Sequence, residues 1–328
     1  MQVMDLAKAM FDVIKEDLAA LEEELLQAVI SPIPLITEIG THLVQSGGKR
    51  LRPALYFLAA RSGPQFDRSY AMPLAIAIEV IHMASLVHDD VIDEAGTRRG
   101  TPTANSKWGN QLAILSGDYL FAHAFSLVAG NHYEEGIALR LSELVCGLSS
   151  GEIIQDASAY QAARSMPDYY RRIEKKTADF LALCCEMGAL VSKADDRISK
   201  ALYTYGHSIG MAFQITDDLL DIMAETARIG KPAGNDIRQG IVTLPVIRAL
   251  DTSPHRAELM DIVTNPDMTD AMVARALAIV RASDGIVFAQ AQADEYLQLA
   301  KRVLPEGLPP AAKKAFLEAA DFIGRREF

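Results

Sequence analysis

Apolar residues recur at helical spacing along almost the whole chain, and this periodicity constrains the fold more than any other feature. Near the start, Leu6, Met10 and Ile14 are each four residues apart, with charged residues between them. Apolar positions three or four residues apart form one face of an α-helix. Segments with the alternating pattern of strands are nearly absent. The sequence therefore predicts an all-α fold.

Clusters of proline and glycine at 31–34, 47–48 and 63–64 break this pattern and are typical of turns. Between the breaks we predict helices at 5–29, 53–61, 71–94, 111–129, 134–159, 167–193, 196–225, 239–251, 256–264, 269–282, 284–303 and 309–325. No linker rich in proline, glycine or serine divides the chain, so we predict a single domain over residues 1–328.

The charge balance limits the partners of the chain. Acidic residues outnumber basic ones by 43 to 32, which gives a net charge of −11 and argues against a nucleic-acid partner. The longest apolar stretch, residues 71–87, contains Glu79 and His82 and is too short and too polar for a transmembrane segment. The three cysteines, two of them adjacent, are expected in the core. We expect a soluble, cytoplasmic protein.

Two aspartate clusters of the form Asp-Asp-x-x-Asp each extend an apolar predicted helix. Asp89 and Asp93, like Asp217 and Asp221, are four residues apart, so each pair shares a helix face. Like charges at this spacing oppose helix formation by about 0.2–0.5 kcal/mol per pair. A solvated helix end would explain one such cluster. Two of them favour magnesium sites at the mouth of an apolar cavity, because Mg²⁺ is commonly shared between carboxylates and substrate phosphates.

Three basic segments accompany these clusters. They are 47–53 (GGKRLRP), 98–103 (RRGTPT) and 171–177 (RRIEKKT). Each alone is typical of a solvated face, but together in an acidic chain they favour the binding of two diphosphates. His82 lies on the same predicted helix face as Asp89, and Glu79-Val-Ile-His82 has the spacing of a di-iron ligand pair. A di-iron site requires a second such pair, which the chain lacks, so we reject that interpretation.

These residues resemble the trans-isoprenyl diphosphate synthase (polyprenyl synthetase) family. The resemblance runs from about Gly47 to Pro245, and its motifs are GGKRLRP, HMASLVHDDVID, RRGTPT, KKTA, FQITDDLLD, GKPAGND and TLP. The tail, residues 322–328, resembles that of the large catalytic component of heptaprenyl diphosphate synthases. The resemblance implies an isoprenoid-synthase-type helical bundle around a deep apolar cavity.

The resemblance also implies the roles of individual residues. Isopentenyl diphosphate would be held by Lys49, Arg52, His82 and Arg99. The allylic diphosphate would be held by Arg98, Lys176, Thr177, Gln214 and Lys231. Magnesium, as three ions when substrate is bound, would be held by Asp89, Asp93 and Asp217, with Asp90, Asp221 and Asp236 in support. The catalytic set is Asp89, Asp93, Asp217 and Lys176. The chain has Gln239-Gly240-Ile241 where many members have Glu-Gly-Lys.

The implied reaction is the condensation of isopentenyl diphosphate with an allylic diphosphate such as farnesyl diphosphate. Ionisation is followed by attack of the isopentenyl double bond and loss of a proton to the released pyrophosphate. A class I terpene cyclase also ionises an allylic diphosphate, but it needs no second diphosphate site, so Arg99 and the GGKRLRP element argue against it. A non-catalytic regulatory subunit would have lost aspartates, whereas all six remain.

Residues before the first cluster bear on product length. Ala84 and Ser85 are small where short-chain members of the family carry an aromatic floor, and Ile81 cannot close a tunnel alone. We therefore predict a product longer than geranylgeranyl, with heptaprenyl favoured, for a menaquinone side chain. Other lengths from geranylgeranyl to octaprenyl are the alternative, and close helix packing is another explanation of the small residues.

The tail resemblance bears on assembly. It implies a heterodimer with a small, sequence-unrelated component. A homodimer through helices near the first aspartate cluster is the alternative.

Overall fold

The computed structural model describes residues 8–134, 136–161, 165–223 and 233–324, and these are mainly helical. The helices are α1 (Lys8–Ala28), α2 (Pro34–Gln45), α3 (Leu51–Ala60), α4 (Arg68–Ile92), α5 (Ala104–Trp108), α6 (Asn110–Gly130), α7 (Ile137–Asp156), α8 (Met166–Ile173), α9 (Asp179–Val191), α10 (Asp196–Met223), α11 (Asn235–Arg238), α12 (Leu244–Thr252), α13 (Arg256–Val263), α14 (Asp270–Ala282), α15 (Gly285–Val303) and α16 (Pro310–Gly324). A π-helical turn, Glu174–Ala178, joins α8 to α9 and is called the π-turn below. The predicted all-α fold is confirmed.

Two short strands are present in the described part of the chain. Strands β1 (Thr97–Arg98) and β2 (Thr101–Pro102) pair antiparallel, with Thr97 opposite Pro102 and Arg98 opposite Thr101. The sequence analysis placed this segment in a loop. The hairpin follows the end of α4 and fixes the direction of two adjacent arginines.

Helices α3, α4, α9 and α10 form the centre of the molecule. Helix α9 packs along both α3 and α10, and α4 packs along α6. Gly188 of α9 is in close contact with α3, because a Cβ there would lie 2.2 Å from the carbonyl oxygen of Tyr56. Gly210 of α10 lies against the π-turn in the same way, with 2.4 Å between its ideal Cβ and the Cα of Ala178. This close approach ties the helix of the second aspartate cluster to the π-turn.

Within the described part of the chain, two helices, α4 and α6, are long and apolar enough to cross a membrane by length and composition. The sequence analysis considered only residues 71–87, whereas α4 has 25 residues. Of the most apolar 18-residue segment in each helix, 72% is buried in α4 but only 33% in α6. Helix α4 is thus a core helix of the bundle, and α6 has a largely exposed apolar face.

The structure corrects the predicted helices in several places. Helix α2 was not predicted, because the prolines read as a break include Pro34, the first residue of the helix. The predicted helix 167–193 is interrupted by the π-turn. The predicted helix 239–251 begins only at Leu244. In addition, Cys146 is exposed, contrary to the expectation that all the cysteines are in the core.

Candidate active site

A basic cavity of about 330 Å³ lies at the start of α3. Its lining includes all four residues assigned to isopentenyl diphosphate from the resemblance, Lys49, Arg52, His82 and Arg99. Phe322 of α16 completes the wall, and Nζ of Lys49 lies 5.3 Å from the centre of its ring. Three separate segments thus bring these four side chains to one cavity.

Arg52 and His82 form a partly buried pair in this cavity. Nη1 of Arg52 lies 3.1 Å from Nε2 of His82, and the guanidinium lies 4.6 Å from the ring centre of Phe180. Burial and the charges of Arg52 and Arg99 lower the pKa of His82 well below its usual value. The imidazole is therefore neutral at pH 7, and Nε2 accepts a hydrogen bond from Arg52. Nε of Arg52 is buried without a hydrogen-bond partner among the described residues, so it is a donor available to an anion.

The hairpin divides its two arginines between two places. Nε of Arg98 donates to Oδ1 of Asp90 at 2.7 Å, at the end of α4. Arg99, in the left-handed conformation with φ of 54°, donates instead to the carbonyl of Gly47 beside the basic cavity. A Cβ on Gly48 would lie 2.6 Å from Nη1 of Arg99, so the guanidinium group packs closely against this glycine. Adjacent residues therefore reach the first aspartate cluster and the basic cavity.

The first aspartate cluster is at the end of α4. Asp89 is partly buried, Asp90 is buried, and Asp93 is exposed at the helix C-cap. Burial and the neighbouring carboxylate of Glu152 raise the pKa of Asp89 to about 7, and Lys176 opposes this shift. Asp93 and Glu152 also line an acidic cavity of about 380 Å³. The end of α4 therefore has an excess of negative charge, which a cation would neutralise.

The second cluster lies at the end of α10 and includes a residue from outside the motif. Asp218 is buried and accepts hydrogen bonds from Tyr169 Oη at 2.8 Å and Gln214 Nε2 at 2.9 Å. Asp221 accepts from the backbone N–H of Asp236 at 3.1 Å. Burial and the carboxylates of Asp218 and Asp221 raise the pKa of Asp236 well above its usual value. Asp217 is partly buried at the same helix end.

Lys176 connects the two clusters. Its charge opposes the rise in the pKa of both Asp89 and Asp236. Nζ of Lys176 is 2.5 Å from Oε1 of Glu152. In the same π-turn, Oγ1 of Thr177 donates to Oε1 of Gln214 at 2.8 Å. π-helical turns are frequent at functional sites. Lys231 lies outside the described residues.

Sequence reasoning missed two residues of this region. Glu152 belongs to no motif that we recognised, and its place beside Asp89 depends on how α7 packs. Asp218 is inside the second motif, and its partner Gln214 precedes it by four residues. Helical spacing alone would have identified that pair.

The residues assigned to product length lie deeper. Ala84 and Ile81 are fully buried in the main apolar cluster. Ser85 is partly buried, and its hydroxyl donates to the carbonyl of His82 at 2.9 Å. Neither the basic nor the acidic cavity is lined by these residues. Their role in product length stays a prediction.

The chemistry of the aspartate clusters fits magnesium. Carboxylate oxygens are its preferred protein ligands, and the raised pKa values of Asp89 and Asp236 show negative charge that lacks sufficient compensation. A different group, Glu174, Asp179 and His207, places its possible ligand atoms within 4.8 Å of one another beside the π-turn. There, Lys175 already donates to Asp179 at 2.7 Å.

Comparisons with known proteins give one consistent result. The sequence model of the polyprenyl synthetase family matches residues 33–280. Heptaprenyl diphosphate synthase component 2 of Geobacillus stearothermophilus is 43% identical over 98% of this chain and 99% of that protein. The crystal structure of a polyprenyl synthase from Caulobacter crescentus, complexed with calcium and isoprenyl diphosphate, matches with a TM-score of 0.91 and 32% identity over 98% of both chains. Heptaprenyl diphosphate synthase from Staphylococcus aureus matches with a TM-score of 0.89 and 31% identity, over 95% of this chain and 98% of that one.

Proposed function

The chain belongs to the polyprenyl synthetase family, and from this premise we propose that it is a long-chain trans-prenyltransferase that condenses isopentenyl diphosphate with an allylic diphosphate. One observation supports this most directly. Arg98 and Arg99 are adjacent in the hairpin, yet one contacts the first aspartate cluster and the other lines the basic cavity. A proposed metal site and a basic cavity are therefore neighbours, as a reaction between a metal-bound diphosphate and a second diphosphate requires.

We propose that magnesium binds at the aspartates. The ligands would be Asp89, Asp93 and Asp217, with Asp90, Asp221 and Asp236 in support, and the number of ions would be three with substrate bound. When bound, magnesium supplies positive charge that stabilises the departing diphosphate. The calcium and isoprenyl diphosphate in the Caulobacter structure support a divalent ion in this fold.

The protein's own residues hold the two substrates. The allylic diphosphate would be bound by Lys176, Thr177 and Arg98, with Gln214 and Lys231.

Ionisation breaks the bond between the first carbon of the allylic chain and the diphosphate oxygen. Lys49, Arg52 and Arg99 would hold isopentenyl diphosphate so that its double bond attacks that carbon and forms the new carbon–carbon bond. A proton on the carbon next to the resulting cation then passes to the released diphosphate, and a new double bond forms between these two carbons. Neutral His82 would fix the orientation of Arg52.

We propose that the product is heptaprenyl diphosphate, made from farnesyl diphosphate for a menaquinone side chain. The small residues Ala84 and Ser85, followed by Ile81, support a long product, and two relatives are named component 2 of heptaprenyl diphosphate synthase. Other lengths from geranylgeranyl to octaprenyl are the alternative.

We propose a single-domain, soluble, cytoplasmic protein that works with a partner chain. Its relatives' designation as component 2 implies a separate component. An apolar surface is available for it. This surface, called the α6–α7 face below, comprises Ile114, Leu115, Leu139 and Ile153, which are 42% to 68% exposed. A small second component would cover it, and a second copy of the chain is the alternative.

The decisive experiment incubates the purified chain with farnesyl diphosphate, labelled isopentenyl diphosphate and Mg²⁺, and measures the length of the product. Labelled polyprenyl diphosphate supports the proposal. Consumption of farnesyl diphosphate without isopentenyl diphosphate would instead indicate a cyclase. Full-rate synthesis of long product by the chain alone, as a monomer or homodimer, would exclude the heteromeric assembly.

A further inference from the structure

The basic cavity contains a buried carboxylate to which the mechanism above gives no role. Among the described residues that line the cavity, Glu79 of α4 is the one acid. It is 3% exposed, and it also lines a smaller adjoining cavity with Arg98 and Arg99. A buried carboxylate is unfavourable unless it is paired and hydrogen-bonded. Its position therefore depends on the surrounding arginines.

Glu79 holds Arg50, the residue that separates Lys49 from the start of α3. Nη1 of Arg50 donates to Oε1 of Glu79 at 2.8 Å, and Nη2 donates to the carbonyl of Val44 at 3.0 Å. On the other side, Nε of Arg50 donates to Oε1 of Glu22 at 2.6 Å. The side chains of Arg50 and Glu79 are only 7% and 4% exposed, so their contact is buried, whereas Glu22 is 48% exposed.

The backbone at Arg50 explains why the network matters. Its φ is 46°, in the left-handed region that a residue with a long side chain seldom occupies. The residue directly before it is Lys49, and Arg52 follows two residues later in the first turn of α3. The direction of both side chains depends on this one turn. Contacts that hold Arg50 in the turn therefore set the position of two cations in the cavity.

Glu79 also balances the charge of the cations themselves. Burial lowers the pKa of Arg52 and Arg99, and the Glu79 carboxylate opposes the shift in both. Its second oxygen, Oε2, is buried without a hydrogen-bond partner in the described part of the chain. One carboxylate thus lies close enough to three arginines to act on each of them.

We propose that Glu79 is a positioning residue for isopentenyl diphosphate, which anchors Arg50 and keeps Arg52 and Arg99 together in the cavity before the diphosphate binds. This inference rests on the proposed function for the identity of the ligand. The competing effect has the opposite sign, because a negative charge near a diphosphate weakens binding by Coulomb repulsion. Guanidinium contacts to phosphate are bidentate and depend on orientation, so we expect the loss of positioning to exceed the gain in charge.

The test compares Glu79→Gln with the matched control Glu22→Gln. Both remove one carboxylate from Arg50, but Glu22 does not line the basic cavity. We expect Glu79→Gln to raise the KM and the calorimetric Kd for isopentenyl diphosphate at least tenfold. The KM for farnesyl diphosphate and kcat should stay within twofold. Glu22 is 48% exposed and Glu79 still holds Arg50 in its absence, so Glu22→Gln should raise the KM and Kd for isopentenyl diphosphate by a smaller factor than Glu79→Gln and leave the other two quantities within twofold.

Unchanged or tighter binding of isopentenyl diphosphate by folded Glu79→Gln would overturn the inference. If that variant does not fold by circular dichroism, Arg50→Lys is used, which keeps the charge and loses the forked contacts. At least fivefold weaker binding by Arg50→Lys supports the inference, and unaltered binding refutes it. Wild-type protein that fails to bind isopentenyl diphosphate would refute the proposed function as a whole. Equal binding by wild type and variants would refute the positioning role alone.

Discussion

In both aspartate clusters the second carboxylate turns away from the first and into the protein. Asp90 is held by Arg98, and Asp218 is held by Tyr169 and Gln214. Successive side chains on a helix point about 100° apart. The second aspartate of each cluster therefore fixes the helix end, and the first and last aspartates share another face, on which Asp221 is also held by the backbone N–H of Asp236.

We expect Asp89→Ala or Asp217→Ala to lower kcat by at least about 10²-fold, because each removes a proposed ligand of the magnesium that stabilises the departing diphosphate. Helicity and thermal stability should change little, since neither side chain belongs to the apolar core. Steady-state kinetics and circular dichroism check this. Asp251→Ala, an exposed aspartate at the end of α12, is the control. Full activity after treatment with EDTA would contradict the role of a metal.

The neutral state of His82 gives a pH prediction. Its folded-state pKa is lowered well below 6.5, so the unfolded state binds the proton first as the pH falls. Stability is therefore lost as the pH falls from about 6.5 towards the folded-state value, and it is unaffected above pH 7. We expect His82→Gln to make the fall in unfolding free energy between pH 6.5 and 5 shallower than in wild type. An NMR signal of protonated His82 at pH 6 in the folded protein would refute this.

At the residue scale, the motifs predict which side chains gather but not what holds them. Lys49, Arg52, His82 and Arg99 come from three segments, and their grouping at one cavity follows the resemblance. The contact between Arg50 and Glu79 depends on how α3 packs on α4. No local spacing reports such a contact.

At the scale of elements, the π-turn is the largest departure from the predicted helices. Its residues, Glu-Lys-Lys-Thr-Ala, are compatible with an ordinary helix, so nothing local indicates the interruption. It coincides with a close contact, where Ala178 lies against Gly210. Tertiary packing therefore accounts for the π-turn, which the helix propensity of its residues does not predict.

We expect Thr177→Val to lower kcat/KM for the allylic substrate by about tenfold. The substitution keeps the side-chain shape but removes the hydroxyl that binds Gln214. The loss of one such hydrogen bond should reduce the free energy of unfolding by about 1 kcal/mol. The KM for isopentenyl diphosphate should not change. Thr204→Val, whose hydroxyl binds only a carbonyl within α10, is the matched control in kinetics and thermal melts.

Product length can be tested on α4. We expect Ala84→Tyr to shorten the product to farnesyl or geranylgeranyl length, because a ring would block a tail growing beside this helix. Ala84 is fully buried, so overpacking should also reduce stability by about 1–3 kcal/mol. Chromatography of the labelled product gives the answer. Ala75→Tyr inserts the same ring at a buried alanine on the opposite face of α4. Equal shortening by both variants would show that the effect is not specific to Ala84.

At the scale of the whole molecule, helical periodicity predicts the all-α class because every long element shares one spacing. It does not predict α2, because a proline such as Pro34 can either end a helix or occupy its first position, and the sequence alone does not distinguish the two. The sequence also does not predict the exposed α6–α7 face, because an apolar helix has the same pattern of residues whether it packs in the core of the protein or against a partner chain.

We expect the double substitution Leu115→Glu and Leu139→Glu to prevent assembly. Two charges on the α6–α7 face would be buried on association, which is strongly unfavourable. Light scattering should show a monomer, and synthesis of long product should fall. Val287→Glu is the control, because Val287 is 73% exposed outside this face. Unaltered assembly of the double variant would show that association uses another surface.

The hairpin that carries Arg98 and Arg99 has a thermodynamic consequence. One peptide bond joins a residue bound to the first aspartate cluster with a residue bound beside the basic cavity. A ligand that draws Arg98 from Asp90 and shifts the turn would also shift the backbone of Arg99. We therefore expect the affinities of the two substrates to be linked, and any factor by which the first changes the affinity for the second is then the factor by which the second changes the affinity for the first. Cooperativity between the two substrates would then depend on a turn of a few residues.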